Sequence, residues 1–253
     1  MLKKIVSKFF RKKIGFFGNY KSFSDALKKC EGYHNYNLIK HIYNQNILAI
    51  KKNKYEQDGV IYDSPIINKF ILNFFLKNII ENKNFNPNQK IKILDYGGSF
   101  GNLYYALRNF IHLNFEWDII EQKRKVDLAK NNKYLEAINF KHNLGRYKKY
   151  DLIIFNTSYQ YLRDPFLNFN KLRTRSDSFI FTNIILNNSK KNYIKIEHPD
   201  PKVYDYKYPC WFFSKQFLLN NLFKEFKIIK NKIQNPPYPL LRHENYYNIL
   251  LKK

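Results

Sequence analysis

A chain of 253 residues has room for one α/β domain with an appendage, or for two small domains. Its 44% hydrophobic and 18% aromatic residues are enough to bury a large core, which excludes wholesale disorder. The formal net charge of +25 invites a nucleic-acid partner. The basic pairs (Lys28-Lys29, Lys51-Lys52, Lys148-Lys149, Lys190-Lys191) are scattered, however, through a chain rich everywhere in Lys, Asn, Ile, Tyr and Phe, so dispersed, solvated lysine is the preferred reading.

Cys30 and Cys210 stand too far apart in sequence for a disulfide framework or a zinc spacing, so no metal is expected and a reducing, cytoplasmic compartment fits. No apolar stretch approaches the roughly 20 residues that span a bilayer. Residues 1–14 place Leu2, Ile5, Val6, Phe9 and Phe10 on one helical face and Lys3, Lys4, Lys8, Arg11 and Lys12 around the others. That pattern fits a helix lying on an anionic membrane surface, at the inner face, or equally a helix packed on the domain.

Residues 1–88 read mostly as helix, an extension expected to act as a lid on a domain spanning 89–253. "SFSDALKKCEGY" opens with capping residues and ends near a glycine. "SPIINKFILNFFLKNIIENK" offers Ser64 as N-cap and Pro65 at the first helical position. "NFNPNQ" then breaks the chain. From residue 91 strands and helices alternate: "IKILDYG" strand, "GNLYYALRNFI" helix, "FEWDIIEQ" strand, "RKVDLAKNN" helix, "AINFKHNL" strand, "KYDLIIFNTS" strand, "DPFLNFNKLR" helix, "SDSFIFTNII" strand. A long irregular stretch precedes the helix "SKQFLLNNLF". Two strands, "EFKIIKNKI" and "YYNILLKK", close the chain as a hairpin. Such alternation builds a mostly parallel sheet with helices on both faces, into which the hairpin sets one antiparallel strand.

In an open α/β sheet ligands bind beyond the carboxyl ends of the strands, where strand order reverses. The first strand runs into Gly97, Gly98 and Gly101, a G-G-x-x-G spacing rather than the dinucleotide G-x-G-x-x-G. Asp95 sits two residues before the first glycine. A carboxylate there repels a pyrophosphate and suits an ammonium. S-adenosylmethionine carries an ammonium, a sulfonium and a ribose. Glu121, at the end of the second strand, stands where an acid takes ribose hydroxyls.

These residues resemble the class I S-adenosylmethionine-dependent methyltransferases. More narrowly, the chain is similar to a family of methyltransferases encoded beside bacterial surface-polysaccharide (O-antigen type) genes. The likeness runs from "GFFGNYKSFSDALKKCEGY" through "YEQDGVIYD", "LDYGGSFGNLYY", "WDIIEQ", "NTSYQYLRDP" and "YPCWFFS" to the final strand. It implies a Rossmann-like α/β fold with a seven-stranded sheet and adenosylmethionine held by Asp95, Gly97, Gly101 and Glu121. Gly98 belongs to the same turn. "NTSYQYL", with Asn156 and Tyr161, is expected to close over the cofactor, and Asn143 after the third strand to approach the adenine. Ser99 replaces a glycine common in the broader motif.

On the acceptor side, the irregular stretch carries Glu197, His198, Asp200, Asp205, Tyr206, Tyr208 and Trp211. His198 is the candidate general base. Glu197 is its neighbour and a substrate contact, and Tyr208 and Trp211 are candidate stacking faces. His34, Asp58 and Asp63 on the lid are weaker candidates. "NPPY" (235–238) matches the motif by which nucleic-acid amino-methyltransferases hold a flipped base. It follows the wrong strand, so it reads as a stiff connection. The expected function is methyl transfer, to oxygen where a hydroxyl acceptor meets a base, onto a small polar acceptor such as a sugar or sugar-linked intermediate of surface-glycan biosynthesis. The alternatives are a non-catalytic scaffold subunit of a glycan-synthesis complex and an RNA methyltransferase.

Overall fold

Ile93, Leu94, Ile153 and Ile154 occupy strand positions with no exposed face, the mark of parallel strands covered on both sides. In the computed structural model, which describes residues 14–77, 86, 89–111, 113–200, 206–233, 240 and 243–253, they lie at the centre of a twisted sheet. The elements in chain order begin with β1 (Gly15–Tyr20), α1 (Phe23–Leu27), α2 (Tyr36–Lys51), β2 (Tyr55–Gln57), β3 (Val60–Tyr62) and α3 (Lys69–Phe75). Next come β4 (Ile91–Tyr96), α4 (Asn102–Phe110), β5 (Phe115–Ile120), α5 (Lys123–Ala129), β6 (Ile138–Lys141), β7 (Leu152–Asn156) and α6 (Pro165–Leu172). The last are β8 (Ser178–Asn187), β9 (Tyr193–His198), β10 (Tyr208–Ser214), α7 (Lys215–Phe217), β11 (Lys227–Lys232) and β12 (Glu244–Lys252).

Seven strands run in the order β6-β5-β4-β7-β8-β12-β11, all parallel except β12. The terminal hairpin therefore enters the sheet as expected from its sequence. Side chains alternate across the sheet into two cores. Ile91, Ile93, Trp117, Ile119 and Ile154 meet α2–α5 on one face. Leu94, Ile153, Phe155, Phe179 and Phe181 meet Phe169 and Leu172 of α6 and the Leu218–Phe223 turn on the other. Phe181 lies among the rings of Phe155, Tyr159, Phe169 and Phe223. Strand order reverses between β4 and β7, and the glycine turn begins there.

Four features depart from the sequence reading. The stretch read as irregular forms β9 and β10, antiparallel to each other, and β1 adds to the outer edge of β9. This trio continues the sheet from the last two residues of β8, Leu186 and Asn187. β1 pairs with residues more than 170 positions along the chain, so no local turn signal marks the trio. Second, residues 55–62, read within a helical region, form the β2–β3 hairpin. Its turn, Asp58–Gly59, has φ of +52° and +81°, the geometry for which Asp-Gly is selected. Third, the helix expected to begin at Ser64 and Pro65 begins at Lys69, because Asn68 takes the cap: its Oδ1 accepts from Phe70 N at 2.9 Å. Fourth, the "SKQFLLNNLF" helix is one short turn followed by a π-helical turn, Leu218–Leu222. Residues 1–13 of the amphipathic segment, Asp205 and the "NPPY" motif lie outside the described residues. No helix among the described residues is long and apolar enough to cross a membrane.

Candidate active site

The turn after β4 is shaped by what lies beneath it. Gly97 has φ of +78°, and a Cβ there would meet Ser158 Cβ at 2.7 Å. A Cβ on Gly98 would fall 2.3 Å from Asp95 Oδ2, so the backbone passes directly over the carboxylate. Asp95 is fully buried, and neither of its oxygens receives a hydrogen bond. Burial raises its carboxyl to about 7, with nearby Glu121 adding to the rise. The Trp117 indole beside it opposes them, although the indole nitrogen itself completes no hydrogen bond. A buried acceptor left this way costs stability unless a donor arrives.

Glu121, just past β5, is already engaged. It accepts from Ser99 N at 3.2 Å, Gln122 N at 2.8 Å and Lys125 Nζ at 2.7 Å. On β7 and the turn after it, Asn156 Oδ1 accepts from Thr182 Oγ1 at 2.7 Å, Asn183 Nδ2 donates to Thr157 Oγ1 at 2.8 Å, and Ser158 Oγ donates to Tyr96 O. Tyr161, on the 3-10 turn Tyr159–Tyr161, donates to Glu197 Oε2. Burial lifts the Glu197 carboxyl to about 7 against that hydrogen bond, with Asp58 adding to the lift.

Asp95, Gly97, Gly98, Glu121, Asn156, Tyr161, Glu197 and Tyr208 all line one cavity of about 780 Å³ at the carboxyl ends of β4, β5 and β7. Asp63 and other sequence candidates lie elsewhere: Asp63 is exposed and pairs with Lys54 at 2.7 Å. Gly101 caps α4 behind the wall, where a Cβ would strike Ile138 Cδ1 at 2.2 Å. Asn143 is exposed, and its neighbour His142 takes the place on the wall. His198 was expected on a loop; on strand β9 it points away from the face that carries Glu197, and its ring tilts against Phe17 at 4.7 Å. Trp211 Nε1 donates to Leu162 O at 3.0 Å and its ring meets Phe166 and Phe213, so it seats the 3-10 turn rather than the cavity.

Other wall residues escaped the sequence reading or were undervalued by it. Glu56 on β2 is buried; its Oε1 accepts from Gly59 N at 2.5 Å and its Oε2 from Asn46 Nδ2 at 3.5 Å. Burial raises it to about 7. Asp58 at the hairpin turn reaches water, yet the surrounding protein still raises its carboxyl. The Asp-Gly dipeptide between "YEQ" and "VIY" was the signal that would have placed both.

Glu56, Asp58, Asp95, Glu121 and Glu197 thus set five carboxylates on the wall, against Lys125 and Arg163 as its fixed cations, in a chain whose net charge is +25. Among the described residues, four of the five non-glycine positions with positive φ (Asp58, Ser99, Thr157, Asn183) also line it. Backbone held in that region costs free energy and concentrates where geometry serves a ligand. The wall's orphaned buried atoms, Asp95 Oδ1 and Oδ2, Gln122 Oε1 and Gln160 Oε1, are all acceptors. The cavity is built for a ligand rich in donors and positive charge.

No family model matches the chain, and no curated protein does. Among solved structures, the N-terminal domain of EvdMO1, crystallised in the presence of SAH and D-fucose, superposes with a TM-score of 0.51 at 12% identity, covering 84% of this chain and 98% of that one. The likeness is one of fold, the Rossmann-like class I methyltransferase fold. The glycopeptide N-methyltransferase MtfA complexed with (S)-adenosyl-L-methionine gives a TM-score of 0.42 at 9% identity, over 69% of this chain and 90% of that one. The plantazolicin methyltransferase BpumL, in complex with a monoazolic desmethylPZN analog and SAH, gives 0.42 at 11% identity, over 91% and 88%.

Proposed function

We propose that the chain is an S-adenosylmethionine-dependent methyltransferase acting on a small polar acceptor, a sugar or sugar-linked intermediate of surface-glycan synthesis, by transfer to oxygen. The observation that carries this reading is Asp95: a fully buried carboxylate under a glycine turn at the strand-order reversal, with both oxygens lacking a donor. Adenosylmethionine fits the donor set. An ammonium 4 Å from an ionised Asp95 gains about 4 kcal/mol of gross attraction at an effective dielectric near 20. Glu121, beside Ser99 and Gln122, is the acid for a ribose. The ligand's known chemistry, an electrophilic methyl on a sulfonium, leaves the protein to align the acceptor and exclude water.

The residues preceding 89 support a lid: Phe23, Tyr33, Ile42, Glu56, Tyr62 and Ile66 all contribute to the cavity wall. The N-terminal domain of EvdMO1, which shares the fold, was crystallised in the presence of SAH and D-fucose, which favours a sugar acceptor here. Glu197 or Glu56, not His198, then stands where an acceptor hydroxyl's proton would go.

Calorimetric titration of SAH into the full chain tests the reading. Wild type binds, and Asp95→Asn loses roughly 30-fold or more in affinity, the equivalent of about 2 kcal/mol for a buried charge pair with one partner neutralised. Equal affinities, or no heat from either protein, overturn it.

A further inference from the structure

The cavity has a second polar centre, distinct from Asp95 and built by other elements. β2 and its turn supply Glu56 and Asp58, β9 supplies Glu197, and the 3-10 turn supplies Gln160 and Tyr161. Asp58 stands close enough to Glu197 to raise its carboxyl, so the hairpin and the sheet extension face one another across the space. Gln160 is 1% exposed; its Nε2 donates to Asn183 O at 3.2 Å, and its Oε1 has no donor. That orphaned acceptor on the cavity wall is a second sign of a ligand, independent of the acids.

Beside Glu197 the wall is aromatic. Tyr33 stacks on Tyr208 with centroids 3.9 Å apart, and Tyr161 meets both edge-on at 5.5 and 5.7 Å. Tyr208 is held opposite Glu197 by the β9–β10 register. Acceptor atoms beside an apolar ring wall match a sugar, whose hydroxyls donate at its rim and whose C–H faces are apolar. The nearby cations do little to invite an anion. Lys125 is paired with Glu121, and Arg163 is exposed at the rim, where it donates to Ser24 Oγ at 3.3 Å.

We propose that Glu56, Asp58, Gln160 and Glu197 form the acceptor subsite, and that it takes an unphosphorylated sugar bound through its hydroxyl or amine donors. The inference rests on the methyltransferase reading above and sharpens it: a phosphate on the sugar would face three carboxylates, so nucleotide-activated and phosphorylated sugars are rejected.

The test is saturation-transfer NMR on the full chain, with and without SAH, using D-fucose, D-glucose and D-glucosamine against their 1-phosphates. At least one free sugar binds, and its 1-phosphate binds about tenfold more weakly or not at all. Glu197→Gln and Asp58→Asn weaken the free sugar, narrow its advantage over the phosphate, and leave SAH affinity within about twofold, which also reports that each variant is folded. SAH binding without binding of any free sugar, or a 1-phosphate that binds as tightly as its sugar, overturns the subsite while sparing the cofactor reading. Failure of SAH to bind instead removes the methyltransferase reading, and the sugar titrations without SAH still decide the subsite.

Discussion

Asp95 is held in a conformation that favours its neutral form, and this has a pH signature. Its carboxyl rises from 3.8 to about 7 on folding, through burial first and Glu121 second. A raised carboxyl gives stability that is fully present below the unfolded value and is lost as pH rises through the folded one. Asp95→Asn, neutral throughout, should therefore match the wild type near pH 4 and exceed it by on the order of 4 kcal/mol at pH 8, read by urea unfolding at each pH. A wild type more stable than the variant at pH 8 would contradict this. The same substitution that weakens SAH is expected to stabilise the free protein, the trade seen where a site is kept polar for a ligand. Asp95 and Glu121 were legible in the sequence because each directly follows a buried apolar run. His198 was not placed because its stretch reads as a loop, whereas on strand β9 adjacent side chains take opposite faces and only Glu197 meets the cavity.

The hairpin β2–β3, α2 and α4 are joined by Asn46, which is 2% exposed and donates to Glu56 Oε2 at 3.5 Å and Asn102 Oδ1 at 2.9 Å. Asn46→Ala leaves both acceptors without that donor and is expected to cost about 1–3 kcal/mol. Amide exchange should speed up across residues 55–62, while β4 and β7 keep their protection. Uniform exchange across the chain would show that the hairpin does not open as a separate unit. Local sequence marked the strands and helices from 91 to 187 because each carries its own periodicity and its own stops. It did not mark β1, β9 and β10, whose strand character comes from one another: Phe16 lies opposite Glu197, and Glu197 opposite Tyr208. The partners of β1 lie 174–183 residues away, far outside any local window, while those of β9 and β10 lie 11–19 residues apart across a stretch that carries no hairpin signal. The Asp58–Gly59 turn was readable, but it was absorbed into a helical reading of its surroundings.

At the scale of the molecule, charge is divided. A chain of net charge +25 gathers five carboxylates around one cavity. The total therefore says little about the site's ligand. What matters is the local sign within about a Debye length, roughly 8–10 Å in ordinary salt. The seven-strand order with its reversed penultimate strand sets Asp95 and Glu121 on adjacent strand ends, and the β1–β9–β10 extension adds Glu197 to the wall of the same cavity. Sequence order alone conveyed the first arrangement and not the second. The most direct measurement is a crystal structure of the full chain with adenosylhomocysteine. The account predicts the ligand in this cavity, its amino group bonded to Asp95 and its ribose at Glu121, with space left beside its sulfur facing Glu56 and Glu197. A ligand bound outside the cavity, or one bound inside it with Asp95 and Glu121 turned away, would contradict the account.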